Sequence, residues 1–100
     1  MSVDTAIERA KATLACAPVE QGQDPRWQGI IDLGEYLQSE PQRIWTFIEE
    51  LHDIQDEDLR SALATCLLEH LIEEHPDYRE KAEHLASRSV EFRRMLEMCW

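Results

Sequence analysis

The stretch DEDLRSALATCLLEHLIEEH, residues 56–75, constrains the fold of this chain more than any other. Its apolar residues follow helical spacing but spread most of the way round the helix axis: Leu59, Ala62, Leu63, Ala64, Cys66, Leu67, Leu68, Leu71 and Ile72. A helix that is apolar on nearly every side must be covered by other elements on those sides. The sequence therefore predicts a helix from Glu57 to about His75 at the centre of the core, with Asp56 as its N-cap.

Cap residues and prolines divide the rest of the chain into further short helices. Ser2 is a candidate N-cap for the first helix, and Asp24-Pro25 and Ser39-Glu40-Pro41 place a cap and a proline where a helix begins. Pro76-Asp77 marks another start. The predicted helices cover about residues 3–16, 25–37, 41–54, 57–75 and 77–86, and from 90 to the C-terminus.

The second helix has a recognisable apolar side. Trp27, Ile30, Ile31, Gly34 and Leu37 fall on that side, with Leu33 at its edge. We expect the Trp27 ring to fill the core. Gly34 lies in the middle of the apolar face, where the missing side chain would let a neighbouring helix come close. The third helix has a clearer inner face, formed by Ile44, Phe47, Ile48, Leu51 and Ile54.

The fold class predicted from these patterns is all-α. No stretch alternates long enough for a sheet, and no Asn-Gly or Asp-Gly hairpin signal occurs. One domain, residues 1–100, would hold five to six short helices, and short turns make neighbours antiparallel. The segments 24–54 and 56–86 each form a helical hairpin, at a spacing of about 32–35 residues that is typical of helical repeats. The expected architecture is a HEAT-like hairpin array with capping helices at both ends.

The charge of the chain limits its partners. The formal net charge is −11, and residues 20–58 carry nine of those negative charges. Nucleic-acid binding requires Lys and Arg to replace counterions, so we expect no nucleic-acid partner. Attraction to anionic membranes is excluded for the same reason, and no apolar run approaches the ~20 residues that span a bilayer. A basic protein would be attracted.

The acidic stretch EELHDIQDED, residues 49–58, has two interpretations. Asp56, Glu57 and Asp58 suit the positive N-terminal end of the helix that follows. Glu49, Glu50 and Asp53 lie at the C-terminal end of the helix before it, where negative charge is mildly unfavourable. The stretch is therefore either a solvated turn that starts a buried helix, or a surface that holds a basic partner.

Residues that could carry chemistry form only weak patterns. Cys66 and His70 share a helix face, as a thiol and its base would, but apolar burial raises a thiol pKa. Glu49 and His52 form a single E-x-x-H pair, whereas di-iron bundles use two. The commoner zinc, redox and nucleotide motifs do not occur. We expect no catalytic residue, metal site or cofactor.

The cysteines and the N-terminus indicate a compartment. Cys16, Cys66 and Cys99 are odd in number and widely spaced, which is typical of reduced side chains in a cytoplasmic protein. The first residues contain no continuous apolar block, so no secretory signal is predicted.

The runs DPRWQGIIDLGEYLQSEP and IWTFIEEL, followed by DEDLRSALATCLLEHLIEEH, resemble small bacterial helical proteins with HEAT-like repeats. The resemblance covers about residues 24–86. It implies an interaction scaffold, because HEAT-like domains generally bind other proteins. Some small acidic helical proteins are immunity proteins, which neutralise toxins delivered by competing bacteria. The resemblance transfers no binding residue.

The leading hypothesis is a non-catalytic protein-binding module, most concretely an immunity protein for a basic, nuclease-type toxin. The predicted docking face consists of Asp32, Glu35, Trp45, Glu49, Glu50, Asp53, Asp56, Glu57 and Asp58. A second hypothesis is a scaffold or homodimerising regulatory module, with Trp45 or Trp100 in an apolar groove. A third is a metal- or ligand-binding enzyme that uses Cys66, His70 or the Glu49/His52 pair. The sequence leaves the oligomeric state open.

Overall fold

The structure, a computed structural model, describes residues 2–14 and 25–99. Within these ranges it contains six helices and no strand, so the all-α prediction is confirmed. The helices are α1 Val3–Leu14; α2 Pro25–Leu33, continued by the 3₁₀ turn Gly34–Tyr36; α3 Pro41–Glu50; α4, which joins Glu57–Ala62, Leu63–Leu68 and Glu69–Glu74 without a break; α5 Asp77–Ala86; and α6 Val90–Glu97.

The starts of the helices follow the predicted cap signals. The Thr5 backbone N–H donates to Ser2 Oγ at 3.2 Å, so Ser2 caps α1. Pro41 is the first residue of α3, although the side chain of Glu40 makes no capping bond. The predicted cap Asp24 lies outside the described residues. Ser89, which sequence reasoning did not single out, caps α6 by accepting the Phe92 N–H at 3.1 Å.

The end of α3 comes earlier than predicted. The helix was expected to continue to Ile54, but it ends at Glu50. The N–H groups of Leu51 and His52 bond carbonyls three residues back, at 3.0 and 3.3 Å, which tightens the last turn and releases the chain. Residues 51–56 therefore form a turn in front of α4.

The helix α4 lies at the centre of the core, as predicted. It contacts α2, α3, α5 and α6. Its buried apolar side chains come from its whole length: Leu59, Ala62, Leu63, Ala64, Leu67, Leu68, Leu71 and Ile72. The middle part, Leu63–Leu68, is π-helical, and the Glu69 N–H donates to the Ala64 carbonyl five residues back. The apolar residues of this wider turn contact α2, α3 and α6, which lie on different sides of α4.

The buried face of α2 is displaced from the predicted one. Ile30 and Leu33 are completely buried and Leu37 nearly so, whereas Ile31 is 44% exposed. The prediction that Leu33 lies at the edge and Ile31 inside is therefore wrong. Ile30, Leu33 and Leu37, at spacing i, i+3 and i+7, form the buried stripe. Ile31 lies about 100° further round the helix than Ile30. Trp27 is half-buried and packs against the core.

The close helix approach occurs at Gly29 and not at Gly34. A Cβ atom on Gly29 would lie 2.8 Å from Thr13 Oγ1 and 3.0 Å from the Ala10 Cα of α1. Thr13 Oγ1 cannot retreat freely, because it donates to the Ala10 carbonyl at 2.9 Å. A Cβ atom on Gly34 would meet only the Cys66 carbonyl oxygen, at an ordinary 3.9 Å. The contact between α1 and α2 thus depends on the absence of a side chain at Gly29.

We expect Gly29→Ala to lower the free energy of unfolding by about 1–3 kcal/mol, because α1 and α2 must separate to accept the methyl group. Gly34→Ala is the matched control. It adds the same methyl group where there is room, so it should leave stability unchanged or raise it by up to about 1 kcal/mol. Urea unfolding of both variants measures the difference. Equal stabilities of the two variants would contradict the close packing at Gly29.

Candidate protein-binding surface

The acidic stretch, residues 49–58, joins α3 to α4 and is called the acidic turn below. The Ile54 N–H donates to the Leu51 carbonyl at 3.1 Å. The side-chain amide of Gln55 donates to the Asp53 carbonyl at 3.0 Å. The acidic turn therefore has hydrogen bonds of its own, and its carboxylates are presented by a defined backbone.

Asp56 connects the start of α4 to the start of α2. Its Oδ1 atom accepts the N–H groups of Asp58 at 2.9 Å and Leu59 at 3.2 Å, so the predicted N-cap is confirmed. Its Oδ2 atom accepts from Arg26 Nη1 at 3.1 Å. The Leu59 N–H, followed by Arg26 and the Asp58 N–H, holds the pKa of Asp56 below its ordinary 3.8, against the opposing effect of burial.

Four other predicted docking residues have partners inside the protein. Glu50 pairs with Lys11 of α1 at 2.7 Å. Asp58 accepts the Trp27 indole N–H at 2.6 Å. The two remaining contacts are Glu57 with Arg60, at 3.7 Å, and Asp32 with the Gln28 amide, at 2.7 Å. A charge reversal at these positions would alter intramolecular contacts as well as any binding surface.

Glu49 and Asp53 are the two remaining carboxylates of the acidic turn. Both are exposed, and neither side chain has a hydrogen-bond or ion-pair partner within residues 2–14 and 25–99. Glu35 is also exposed, but it belongs to the 3₁₀ turn. In the described part of the chain, no hydrogen bond or ion pair joins Glu35 or Asp32 to the acidic turn. Among the described residues, Glu49 and Asp53 are thus the carboxylates of the acidic turn whose side chains make no intramolecular hydrogen bond or ion pair.

Trp45 belongs to the core and not to a docking face. It is 4% exposed, and its ring centroid lies 6.0 Å from those of Tyr78 and Phe92. Because α5 and α6 cover it through these two rings, its indole is not presented to a partner. Trp100, the other tryptophan considered for a groove, lies outside the described residues.

Neither candidate catalytic pair is assembled. Cys66 is half-buried with Thr65 Oγ1 at 4.0 Å, whereas the exposed His70 approaches Glu73 at 3.8 Å. His52 Nδ1 lies 3.1 Å from Ser89 Oγ, the cap of α6, and not against Glu49. In both pairs the histidine has another neighbour. The His52 side chain therefore lies beside the cap of α6, and the His70 side chain lies beside Glu73.

Cys99 is held in the thiol form. It is buried, with Sγ 3.6 Å from the Ala64 carbonyl oxygen and 3.8 Å from that of Met95. Burial, together with the negative charge of Glu69, raises the pKa of Cys99 to about 12. A thiol with so high a pKa is a poor nucleophile at neutral pH. Cys16 lies outside the described residues.

Sequence reasoning missed two buried arginines beside the acidic turn. Arg26 is 6% exposed and binds Asp56. Arg60 is 2% exposed and donates from Nη2 to the Ile54 carbonyl at 2.7 Å, and its Nε has no acceptor within residues 2–14 and 25–99. The sequence does carry a signal for Arg60, because it lies one helical turn before Leu63 and Ala64, both of which are completely buried.

In the described part of the chain, no group of three or more His, Cys, Asp and Glu side chains is placed to hold a metal ion. Among residues 2–14 and 25–99, no helix combines the length and the apolar character needed to cross a bilayer.

Comparisons of the chain with protein-family models, with curated proteins and with solved structures found no match. The similarity to HEAT-like proteins thus stays a prediction.

We expect Asp56→Ala to lower the free energy of unfolding by about 1–2 kcal/mol, because α4 loses its cap. Asp56→Asn retains an acceptor for the backbone N–H groups and should lose less. The lowered pKa of Asp56 fixes the sign of the pH effect. The contribution of the charge is complete above the unfolded-state pKa and is lost as the pH falls through the folded-state pKa.

Urea unfolding of both variants between neutral and acidic pH measures these effects. The difference between the wild-type protein and Asp56→Asn should shrink below the ordinary Asp pKa of 3.8. Equal losses for Ala and Asn at neutral pH would show that the charge, and not the capping acceptor, dominates at this position.

Proposed function

We propose that this protein is a non-catalytic protein-binding module that docks a basic protein on its acidic turn. The observation that carries the proposal is the state of Glu49 and Asp53. Both are exposed carboxylates without an intramolecular partner in the described part of the chain. They lie within residues 20–58, which hold nine of the eleven net negative charges. Such groups gain more from an incoming Lys or Arg than carboxylates that are already paired.

The position of these two residues supports the same proposal. Negative charge near the C-terminal end of a helix is unfavourable by a few tenths of a kcal/mol. Glu49 is within the last turn of α3, and Asp53 follows three residues after its end. In contrast, Asp56 caps α4, and Asp58 accepts a hydrogen bond from Trp27. The local fold therefore explains these last two carboxylates but does not explain Glu49 and Asp53.

The most concrete form of the proposal is an immunity protein. In this form, a cytoplasmic HEAT-like array would present the acidic turn to the basic cleft of a nuclease-type toxin and block it. Opposite potentials would raise the rate of encounter, and carboxylates desolvated against Lys or Arg would set specificity. The proposal does not use Trp45, because its ring lies in the core.

The first test compares two charge-reversed proteins of equal net charge. In Glu49→Lys/Asp53→Lys, the two unpaired carboxylates of the acidic turn are reversed. In Glu83→Lys/Glu97→Lys, two exposed carboxylates of α5 and α6 are reversed instead. We expect the first protein to lose most of its affinity for a basic partner and the second to lose little, because close charges contribute more than the overall field.

Each protein is immobilised, and lysate of the source cells is applied at low and at moderate salt. A basic protein that the wild type and the control retain, but the turn variant does not, is the expected result. Release of this protein at moderate salt would show that charge contributes to its binding. An assay of toxin neutralisation then follows. Equal retention by all three proteins, or equal loss from both variants, would sink the assignment to the acidic turn.

A further inference from the structure

Two nearly buried guanidinium groups lie beneath the acidic turn. The Arg60 side chain starts in the first turns of α4 and reaches back to the Ile54 carbonyl, at 2.7 Å. The Arg26 side chain starts in α2 and reaches the Asp56 carboxylate, at 3.1 Å. The first contact is to the backbone of Ile54 and the second to the side chain of Asp56, so the two contacts flank Gln55, shortly after the exposed Asp53.

Stability alone accounts poorly for Arg60. A buried charge is costly to desolvate unless a well-placed opposite charge and a full set of hydrogen bonds accompany it. The Glu57 carboxylate lies 3.7 Å away and is itself 78% exposed, and the Arg60 Nε group has no acceptor in the described part of the chain. Apolar residues often replace such buried ions without loss of stability, and sometimes with a gain. A methionine at this position would also fill the buried face of α4 with an unbranched apolar side chain.

The arginines also change the electrostatics of the acidic turn. Six carboxylates within ten residues repel one another, and the repulsion drives them apart. Two cations on the inner side oppose that repulsion without occupying the outer side. Arg26 and Arg60 contact Asp56 and Glu57, so the outward-facing Glu49 and Asp53 stay available.

From these contacts we infer that Arg26 and Arg60 are positioning residues, which fix the acidic turn in one geometry for a basic partner. The inference rests on the proposed function. A surface that is ordered before binding loses less conformational entropy when the partner docks. The arginines would therefore increase affinity although neither of them touches the partner.

The test uses the full chain with Arg60→Met, which removes the donor to Ile54 and keeps an unbranched side chain. Hydrogen exchange of the His52 and Ile54 amides reports the order of the acidic turn. Both amides donate within the turn, to Glu49 and Leu51. We expect their exchange to accelerate by about tenfold while the amides of α4 beyond Leu68 keep their protection.

The binding probe is a short peptide of alternating lysine and alanine, with its acetyl-lysine form as the uncharged control. We expect Arg60→Met to weaken binding of the charged peptide by about threefold or more, with the midpoint of thermal unfolding close to that of the wild type. Arg60→Lys keeps the charge and one donor, and should restore part of both effects. It also carries the test if Arg60→Met does not fold.

Ile72→Val, a mild core substitution in α4 away from the acidic turn, is the stability control. Loss of peptide affinity no greater than in this control, or unchanged exchange at His52 and Ile54, would overturn the positioning role. Failure of the proposed function looks different. In that case Glu49→Lys/Asp53→Lys would bind the peptide as the wild type does, whatever the exchange of the Arg60 variants shows.

Discussion

The burial of apolar side chains around most of the circumference of α4 is the constraint on which the rest of this protein depends. No single neighbour can cover a helix whose apolar residues surround its axis, so α2, α3, α5 and α6 are all held against it. The direction of this helix is fixed at its start, where Asp56 caps it and binds Arg26 of α2. The acidic turn is thus attached to the most buried element of the molecule, and its backbone is correspondingly well supported.

The carboxylates of the acidic turn divide into two groups with different physical roles. Four of them contact other side chains of the fold: Asp56 binds Arg26, Asp58 binds Trp27, Glu50 pairs with Lys11 and Glu57 with Arg60. Glu49 and Asp53 extend into solvent without partners in the described residues. The interpretation as a helix start therefore applies to Asp56 and Asp58, and the interpretation as a binding surface applies to Glu49 and Asp53. A net charge counted along the sequence cannot separate these groups, because it contains no information about which side chains meet.

Local signals in the sequence predicted the helices, the caps Ser2 and Asp56, and the central place of α4, because capping and periodicity operate within a few residues. Contacts between distant segments were beyond such signals. The close approach at Gly29, assigned to Gly34, depends on how α1 crosses α2. The burial of Trp45 depends on rings supplied by α5 and α6. Arg60 was overlooked because a cation on a buried helical row contradicts the general preference of charged residues for the surface.

The π-helical part of α4, Leu63–Leu68, changes the angular phase of everything that follows it. An α-helix advances by about 100° per residue, so a stretch that accommodates one more residue in its turn rotates the remainder of the helix by a comparable angle. The apolar residues before and after the π-helical part therefore follow two different angular positions around the helix axis. Each set packs against its own neighbouring helices. Deleting one residue here would merge the registers into one, and could keep either end in place only by displacing the other.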